Sequence, residues 1–369
     1  NKSLIDSIRK KDMLLCYPFD NVQVLIDLLE QASKDKRVKE IKISLYRVAS
    51  NSKIVQALVS AAKNGKDVTC LVELRARFDE ENNIDWSKVL EDSGCKIIYG
   101  LPNYKVHCKL LLIGTNDGKN DIVQIGTGNF NESTARLYTD LALFTANKAI
   151  AEDAREVFRC LQEGKFVESC NELLVAPLCL KSKLINLIDN EIEKSKNNQP
   201  CAITLKMNSL TDKELIEKLI EASQAGVPIK MIIRGICCLV PGIEGYTHNI
   251  EVRSIVGRLL EHSRIYAFGV GKDKKLFISS ADFMTRNTSQ RVEVATPVYD
   301  YKAKMQLNKI LKLSLQDNQK SRIMDSDGNY TKVTASAKAT PHNSQIELFE
   351  DAYKRNEKAP KSTSKKKTN

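Results

Sequence analysis

The chain has 369 residues, 42% of them apolar, a mean hydropathy of −0.32 and a formal net charge of +11. That length supports two ordinary domains with their own cores, and no apolar run approaches the length of a membrane span. The opening NKSLIDSIRKKDMLL lacks the apolar centre of a signal peptide, and a start on Asn1 leads us to expect a piece of a longer protein.

Much of the positive charge is local. The end from Lys354, KRNEKAPKSTSKKKTN, holds seven basic residues and one acidic, which reads as a solvated, flexible tail. The remainder sits near +5 (11 − 6), a mild excess that suits a polyanionic ligand. Ten cysteines are spread through apolar segments without C-x-x-C spacing, so buried thiols in a reducing cytoplasm are expected rather than disulfides or zinc.

In chain order, DNVQVLIDLLEQASK places Val22, Leu25, Ile26 and Leu29 at helical spacing, with Asp20 and Gln23 as a capping box. EIKISLYRVA alternates as a strand, SKIVQALVSAAKNG is a helix stopped near Gly65, and a strand follows. NYKVHCKLLLIG then reads as one strand with Lys105, His107 and Lys109 on a single face.

The order recurs. AITLKMNSLTDKELIEKLIEASQAGVPIKMIIRG runs strand, helix, Gly226, strand, with Gly226 placed 161 residues after Gly65. His107 in H-x-K has a counterpart in His262 of H-x-R. Each is followed by a strand and a polar turn, QIGTGNFN to Asn129 and FISSADFM to Asp282. A period this long indicates a duplicated α/β domain, expected over residues 1–170 and 171–335, with residues 336–369 as a basic tail. SRIMDSDGNYTKV reads as a hairpin, and NSQIELFEDAYKR as a short terminal helix.

A lone histidine on a strand is ordinarily a satisfied core residue. Two of only four histidines at equivalent positions of a duplication, each with a cation two residues on, are a different matter. His248 and His342 lie in polar, loop-like contexts. Two H-x-[KR] segments meeting across a pseudo-twofold axis would set two imidazoles over a cationic floor. One would attack phosphorus, the other would manage a proton or bind oxygen opposite. Lys109 and Arg264 would neutralise the equatorial oxygens, with turn amides at 126–129 as further donors. Neighbouring cations make metal ligation by the histidines the poorer account.

H-x-K followed by G-x-G-N, duplicated, resembles the phospholipase D superfamily. Within it DMLLCYPFDN, SLYRVASNSKIVQAL, ELRARFDEENNIDWSKVLE, YGLPNYKVHCKLLLI, IGTGNFNESTARLYTDLALFTA, IIRGICCLVPG, HSRIYAFG and SSADFMTRN resemble the C-terminal half of the polyphosphate kinase family. The fold so implied is α/β, two tandem phospholipase D-like domains, each a mixed β-sheet flanked by helices. The implied activity is reversible transfer of the ATP γ-phosphoryl group, through a phosphohistidine, to the end of an inorganic polyphosphate chain.

By this resemblance His107 matches the phosphorylated histidine and His262 the second essential one, at the nucleotide. Tyr138 and Arg234 match ATP contacts, with Asn129 in the phosphate-binding turn. Arg47 and Arg77 match positions associated with Mg²⁺, but a guanidinium has no lone pair for a cation, so both are expected to hold phosphate oxygens beside it. The implied partners are ATP, ADP and inorganic polyphosphate, with no specific nucleic acid. The implied setting is cytoplasmic, without a transmembrane segment but compatible with peripheral membrane association, and homo-oligomeric in the full-length protein.

The hydrolytic branch reads H-x-K-x-x-x-x-D, whereas the fifth residues after Lys109 and Arg264 are Gly114 and Gly269. This weighs against a phospholipase D-type phosphodiesterase, the first alternative. The second is a non-catalytic polyanion-binding module, since the family's N-terminal and head domains are missing from this chain. A further departure is Ser279, where the family usually has glycine.

Overall fold

The computed structural model describes residues 3–73, 80–333 and 339–357. The first repeat runs α1 (Leu4–Lys10), β1 (Met13–Tyr17), α2 (Gln23–Lys34), β2 (Val38–Leu45), α3 (Lys53–Lys63), β3 (Asp67–Val72), α4 (Glu80–Asp92), β4 (Lys96–Ile98), β5 (Lys105–Val106), β6 (Lys109–Thr115), β7 (Ile122–Gly126), β8 (Tyr138–Thr145) and α5 (Lys148–Gln162). The second runs β9 (Leu174–Val175), α6 (Leu180–Lys196), β10 (Ile203–Met207), α7 (Lys213–Gln224), β11 (Ile229–Ile233), β12 (Ile250–Ile255), β13 (Leu260–Glu261), β14 (Ile265–Phe268), β15 (Lys275–Ser279), α8 (Thr285–Ser289), β16 (Arg291–Val292), β17 (Val294–Pro297), α9 (Tyr301–Gln316), the hairpin β18 (Ser321–Met324) and β19 (Tyr330–Lys332), and finally α10 (Ser344–Glu357).

The duplication is visible in the strand order. One sheet reads β8-β7-β6-β2-β3-β4 and the other β17-β15-β14-β10-β11-β12, with the same alternation of antiparallel and parallel pairs. Both sheets are therefore mixed, and helices flank them, as expected for a phospholipase D-like α/β fold. The equivalent helices α3 and α7 are capped by Ser52 and Asp212 and end before Gly65 and Gly226, whose φ values of +77° and +91° suit a residue without Cβ.

Two local readings change. α2 is not capped by Asp20: its N-cap is Val22, and the Asp20 carboxylate accepts the Cys16 amide at 2.8 Å. The stretch from Lys105 to Leu112 is not one strand either. β5 pairs with β16 in a small separate sheet, His107 and Cys108 form the break, and β6 then enters the main sheet. Every residue of β6 is buried, as befits a central strand covered on both faces.

The sheets meet face to face through a shared core. Leu14, Leu141 and Leu143 of the first pack with Ile232, Ile265 and Ile278 of the second, closed by α9. At about 1.5–3 kcal/mol for each fully buried side chain, this seam is a substantial part of the fold. All ten cysteines are unpaired thiols. Residues 344–357, inside the segment read as tail, form α10, which packs Leu348 against the shared core. No helix among the described residues is long and apolar enough to cross a membrane.

Candidate active site

The two histidines sit where the repeats exchange strands. β5 runs parallel to β16 with Val106 opposite Val292, so the next residues in register are His107 and Glu293. β13 runs parallel to β8 with Glu261 opposite Thr139, so the next are His262 and Asp140. Each imidazole thus meets a carboxylate from the other repeat. His107 Nδ1 lies 2.9 Å from Glu293 Oε1, and His262 Nδ1 lies 2.8 Å from Asp140 Oδ1.

A hydroxyl fixes each carboxylate at the same place in its repeat. Thr127 donates to Asp140 and Ser280 to Glu293, and Asn287 also donates to Glu293. Because a carboxylate only accepts, each imidazole carries its proton on Nδ1 and keeps the Nε2 lone pair. Burial drives His107 down to about 3, against the opposing pull of Glu293. His262 is also lowered, by burial and by Arg264. Burial alone would push Glu293 up, but His107, Lys109 and Ser280 hold it at about 2. Both rings are neutral and both carboxylates ionised near neutral pH.

The cations are buried rather than displayed. Lys109 is 1% exposed, donates to the His107 carbonyl and stands over the Tyr46 ring at 5.2 Å. Burial lowers its amine to about 7, and Arg264 adds to the effect. Arg264 is bound to both Asp282 oxygens, to the Thr127 carbonyl at 3.1 Å and to the His262 carbonyl at 2.8 Å. Its Nη1 lies 3.2–3.3 Å from both nitrogens of the His262 ring. Lys109 in turn contributes to lowering His262, so the half-sites share one electrostatic field.

Of the other residues singled out, Tyr138 lies 5.4 Å from the His262 ring. Arg234 donates to Asn208 at 2.6 Å, and Asn208 is bound to Asp282, which joins it to Arg264. Arg47 lies over Tyr46 at 5.8 Å, and Tyr46 meets His107 edge-on at 5.0 Å. Asn129 Oδ1 is buried and makes no hydrogen bond. Arg77 lies outside the described residues, as does the body of the basic tail. The Thr127 amide, one of the expected phosphate donors, is already bonded to the Leu141 carbonyl.

Ser279 is fully buried, and its hydroxyl accepts the Ala281 amide at 2.9 Å. Gly114, five residues after Lys109, is crowded: a Cβ there would lie 2.6 Å from the Glu40 side chain, which would have to move to admit one. Among the described residues no group of three or more His, Cys, Asp or Glu is placed to hold a metal. The carboxylates nearest the histidines are occupied by imidazoles and Arg264, and a guanidinium offers no lone pair, so a protein-held Mg²⁺ does not fit this donor set.

The sequence reading missed Glu293 and Asp140. Their signal was present: they stand 153 residues apart, the same offset that relates Asn129 to Asp282 and Thr127 to Ser280. Extending the repeat by one strand would have found both.

Two tandem mixed-sheet domains, each bringing one H-x-[KR] to the seam, have the phospholipase D-like fold. The same fold is seen at 11% identity in phosphatidylserine synthase from Haemophilus influenzae, with a TM-score of 0.60 and 95% of this chain and 94% of that one covered. The chain belongs to the polyphosphate kinase family: models described as Polyphosphate kinase C-terminal domain 1 and C-terminal domain 2 match residues 3–167 and 173–345. A polyphosphate kinase from Staphylococcus haemolyticus is 46% identical over 356 residues, covering 96% of this chain and 49% of that protein. One from Pseudomonas aeruginosa is 45% identical over 352 residues, covering 95% and 51%. The crystal structure of polyphosphate kinase from Porphyromonas gingivalis superposes with a TM-score of 0.89 at 40% identity, covering 97% of this chain and 55% of that one. The chain spans about half the length of the curated relatives it matches.

Proposed function

We propose that the full-length protein is an ATP:polyphosphate phosphotransferase working in the cytoplasm and that this chain carries its phosphoryl-transfer site. His107 Nε2 attacks the γ-phosphorus, an N–P bond forms, and the bond to the β-phosphate oxygen breaks to release ADP. The terminal oxygen of polyphosphate then attacks the same phosphorus and the N–P bond breaks, with the sequence running in either direction. Glu293 keeps the Nδ1 proton in place throughout and balances the positive charge of the phosphoimidazole. His262, oriented by Asp140, serves the oxygen on the far side, beside Tyr138 and Arg234 at the nucleotide.

Lys109 and Arg264 supply positive potential from beneath rather than as free clamps, since both are buried. Arg47, with Arg77, is assigned to phosphate oxygens. Mg²⁺ enters as the ion of the MgATP substrate, and no step here depends on a protein-held metal.

The observation that carries this reading is the exchanged pair of imidazole–carboxylate contacts in a chain of this family. The crowded Gly114 position weighs against the phosphodiesterase alternative. Incubation of the full-length protein with γ-labelled ATP should give acid-labile, base-stable label that chases into polymer. Label retained in His107→Ala would exclude His107 as the carrier. Binding of polyphosphate with no exchange at all would favour the polyanion-binding module.

A further inference from the structure

Gln345, on the first turn of α10, has no part in either half-site, yet it is only 7% exposed and fully committed. Its Oε1 accepts the Leu259 amide at 3.0 Å, and its Nε2 donates to the Leu259 carbonyl at 3.0 Å and to Glu261 Oε1 at 2.7 Å. One side-chain amide thus holds the backbone just before His262 as a neighbouring strand would. Glu261 passes the constraint on. Its other oxygen meets buried Lys206 at 2.8 Å and Thr139 at 3.1 Å, and the Thr139 hydroxyl accepts the His262 amide at 3.2 Å. Thr139 lies between Tyr138 and Asp140, so the chain of bonds ends on the two groups that flank the His262 ring.

The helix carrying Gln345 is itself tied across the seam. Buried Asp317 accepts both the amide and the hydroxyl of Ser344 at 2.8 Å, while Arg355 at the other end pairs with Asp20 of the first repeat at 3.5 Å. Gly257 leaves space for the amide: a Cβ there would lie 2.4 Å from Gln345 Oε1.

We propose that α10 is a latch across the seam and that Gln345 is the positioning residue that sets the register of His262 against Asp140 and Tyr138. This rests on the phosphoryl-transfer reading for its consequence, but its geometry can be tested separately. In full-length protein, Gln345→Ala removes the amide, and Gly257→Ala displaces it without touching its chemistry. Both should shift the imidazole NMR signals of His262, including the Nδ1 proton shared with Asp140, and leave those of His107 in place. Phosphoryl transfer from ATP should fall by up to about 10²-fold, the scale expected of a misplacement near 1 Å, and the fall should lie in kcat more than in KM.

Unmoved His262 resonances in both folded variants would overturn the latch, whatever the enzyme does. So would equal shifts at His107 and His262, which would mean general loosening. Moved His262 resonances alongside full transfer activity in His262→Ala would instead overturn the proposed role of His262 and leave the latch standing.

Discussion

His107 and Glu293 lie 186 residues apart in the chain and 2.9 Å apart in space, and His262 with Asp140 repeats the arrangement with the repeats exchanged. Each histidine therefore takes the carboxylate at its Nδ1 from the other repeat. The parallel pairing of β5 with β16 and of β13 with β8 supplies the register, and the carboxylates then select the tautomer. A duplication that exchanges partners in this way makes the setting of each histidine depend on both domains, whose sheets also share a core.

Glu293→Gln should separate geometry from charge. The amide is the same shape but can donate to Nδ1, which moves the imidazole proton to Nε2 and removes the nucleophilic lone pair. Labelling of His107 should slow by about 10²–10⁴-fold, the range of a mis-set general base. With its NH2 at the Oε1 position the new amide faces Asn287 Nδ2, donor to donor; with its NH2 at Oε2 it faces the Ser280 hydroxyl, which must turn from donor to acceptor. A loss of about 1–3 kcal/mol in denaturant titration is therefore expected. Wild-type labelling rates would show that the carboxylate does not set the tautomer.

Lys109 gives a pH signature of definite sign. Burial lowers its amine to about 7, so it is cationic below that pH and neutral above. If its charge supports transfer, kcat/KM should decline as pH rises through about 7. Arginine, which stays protonated, should abolish that limb in Lys109→Arg even where the rate is lower overall. Stability should move oppositely. The unfolded chain keeps this proton up to the ordinary lysine range, so between about 7 and 10 the unfolded state binds more protons and stability from this group rises with pH. A flat kcat/KM profile across that window would remove Lys109 from the mechanism.

Gly128 tests the second pair without touching either partner. A Cβ at this position would lie 2.2 Å from Asp140 Oδ2, whereas the equivalent residue of the second repeat, Ala281, already carries one. Gly128→Ala should push Asp140 off the His262 ring, with about 1–3 kcal/mol lost to overpacking and a fall in transfer. Ala281→Gly, the reverse change one residue after Ser280, should leave transfer largely intact. Equal activity loss in both would mean that the turns respond as scaffolding.

Much of this was legible in the sequence, for identifiable reasons. Helix periodicity and the glycines at 65 and 226 were local signals, and local signals transfer directly to structure. The pairing of H-x-K with H-x-R was legible because duplication repeats itself in the chain. Three things were not. That β5 leaves the main sheet depends on a partner, β16, more than 180 residues away. Lys109 and Arg264 read as cations that neutralise phosphate oxygens, but their burial was not legible, because it is made tolerable by the distant carboxylates Glu293 and Asp282. Asp20 looked like a helix cap because its spacing fits one, but the Cys16 amide competes for it and wins.

Arg264 is the test of whether the buried network or the histidines alone hold the site together. Arg264 is 4% exposed, and its guanidinium is bound to both oxygens of Asp282, a residue 6% exposed that also accepts from Asn208. Arg264→Met fills similar space but strands the Asp282 charge, so a loss of about 3–5 kcal/mol in urea titration is expected, as for other broken buried pairs. Adding Asp282→Asn removes the stranded charge and should recover part of that stability. It should not restore transfer, because the positive potential beside His262 is still missing and Asn208 no longer has the carboxylate that aligns it for Arg234. The single variant should therefore lose stability and activity together, and the double variant mainly activity. A single-variant cost below about 1 kcal/mol, the range of exposed pairs, would show that the network is incidental to the fold.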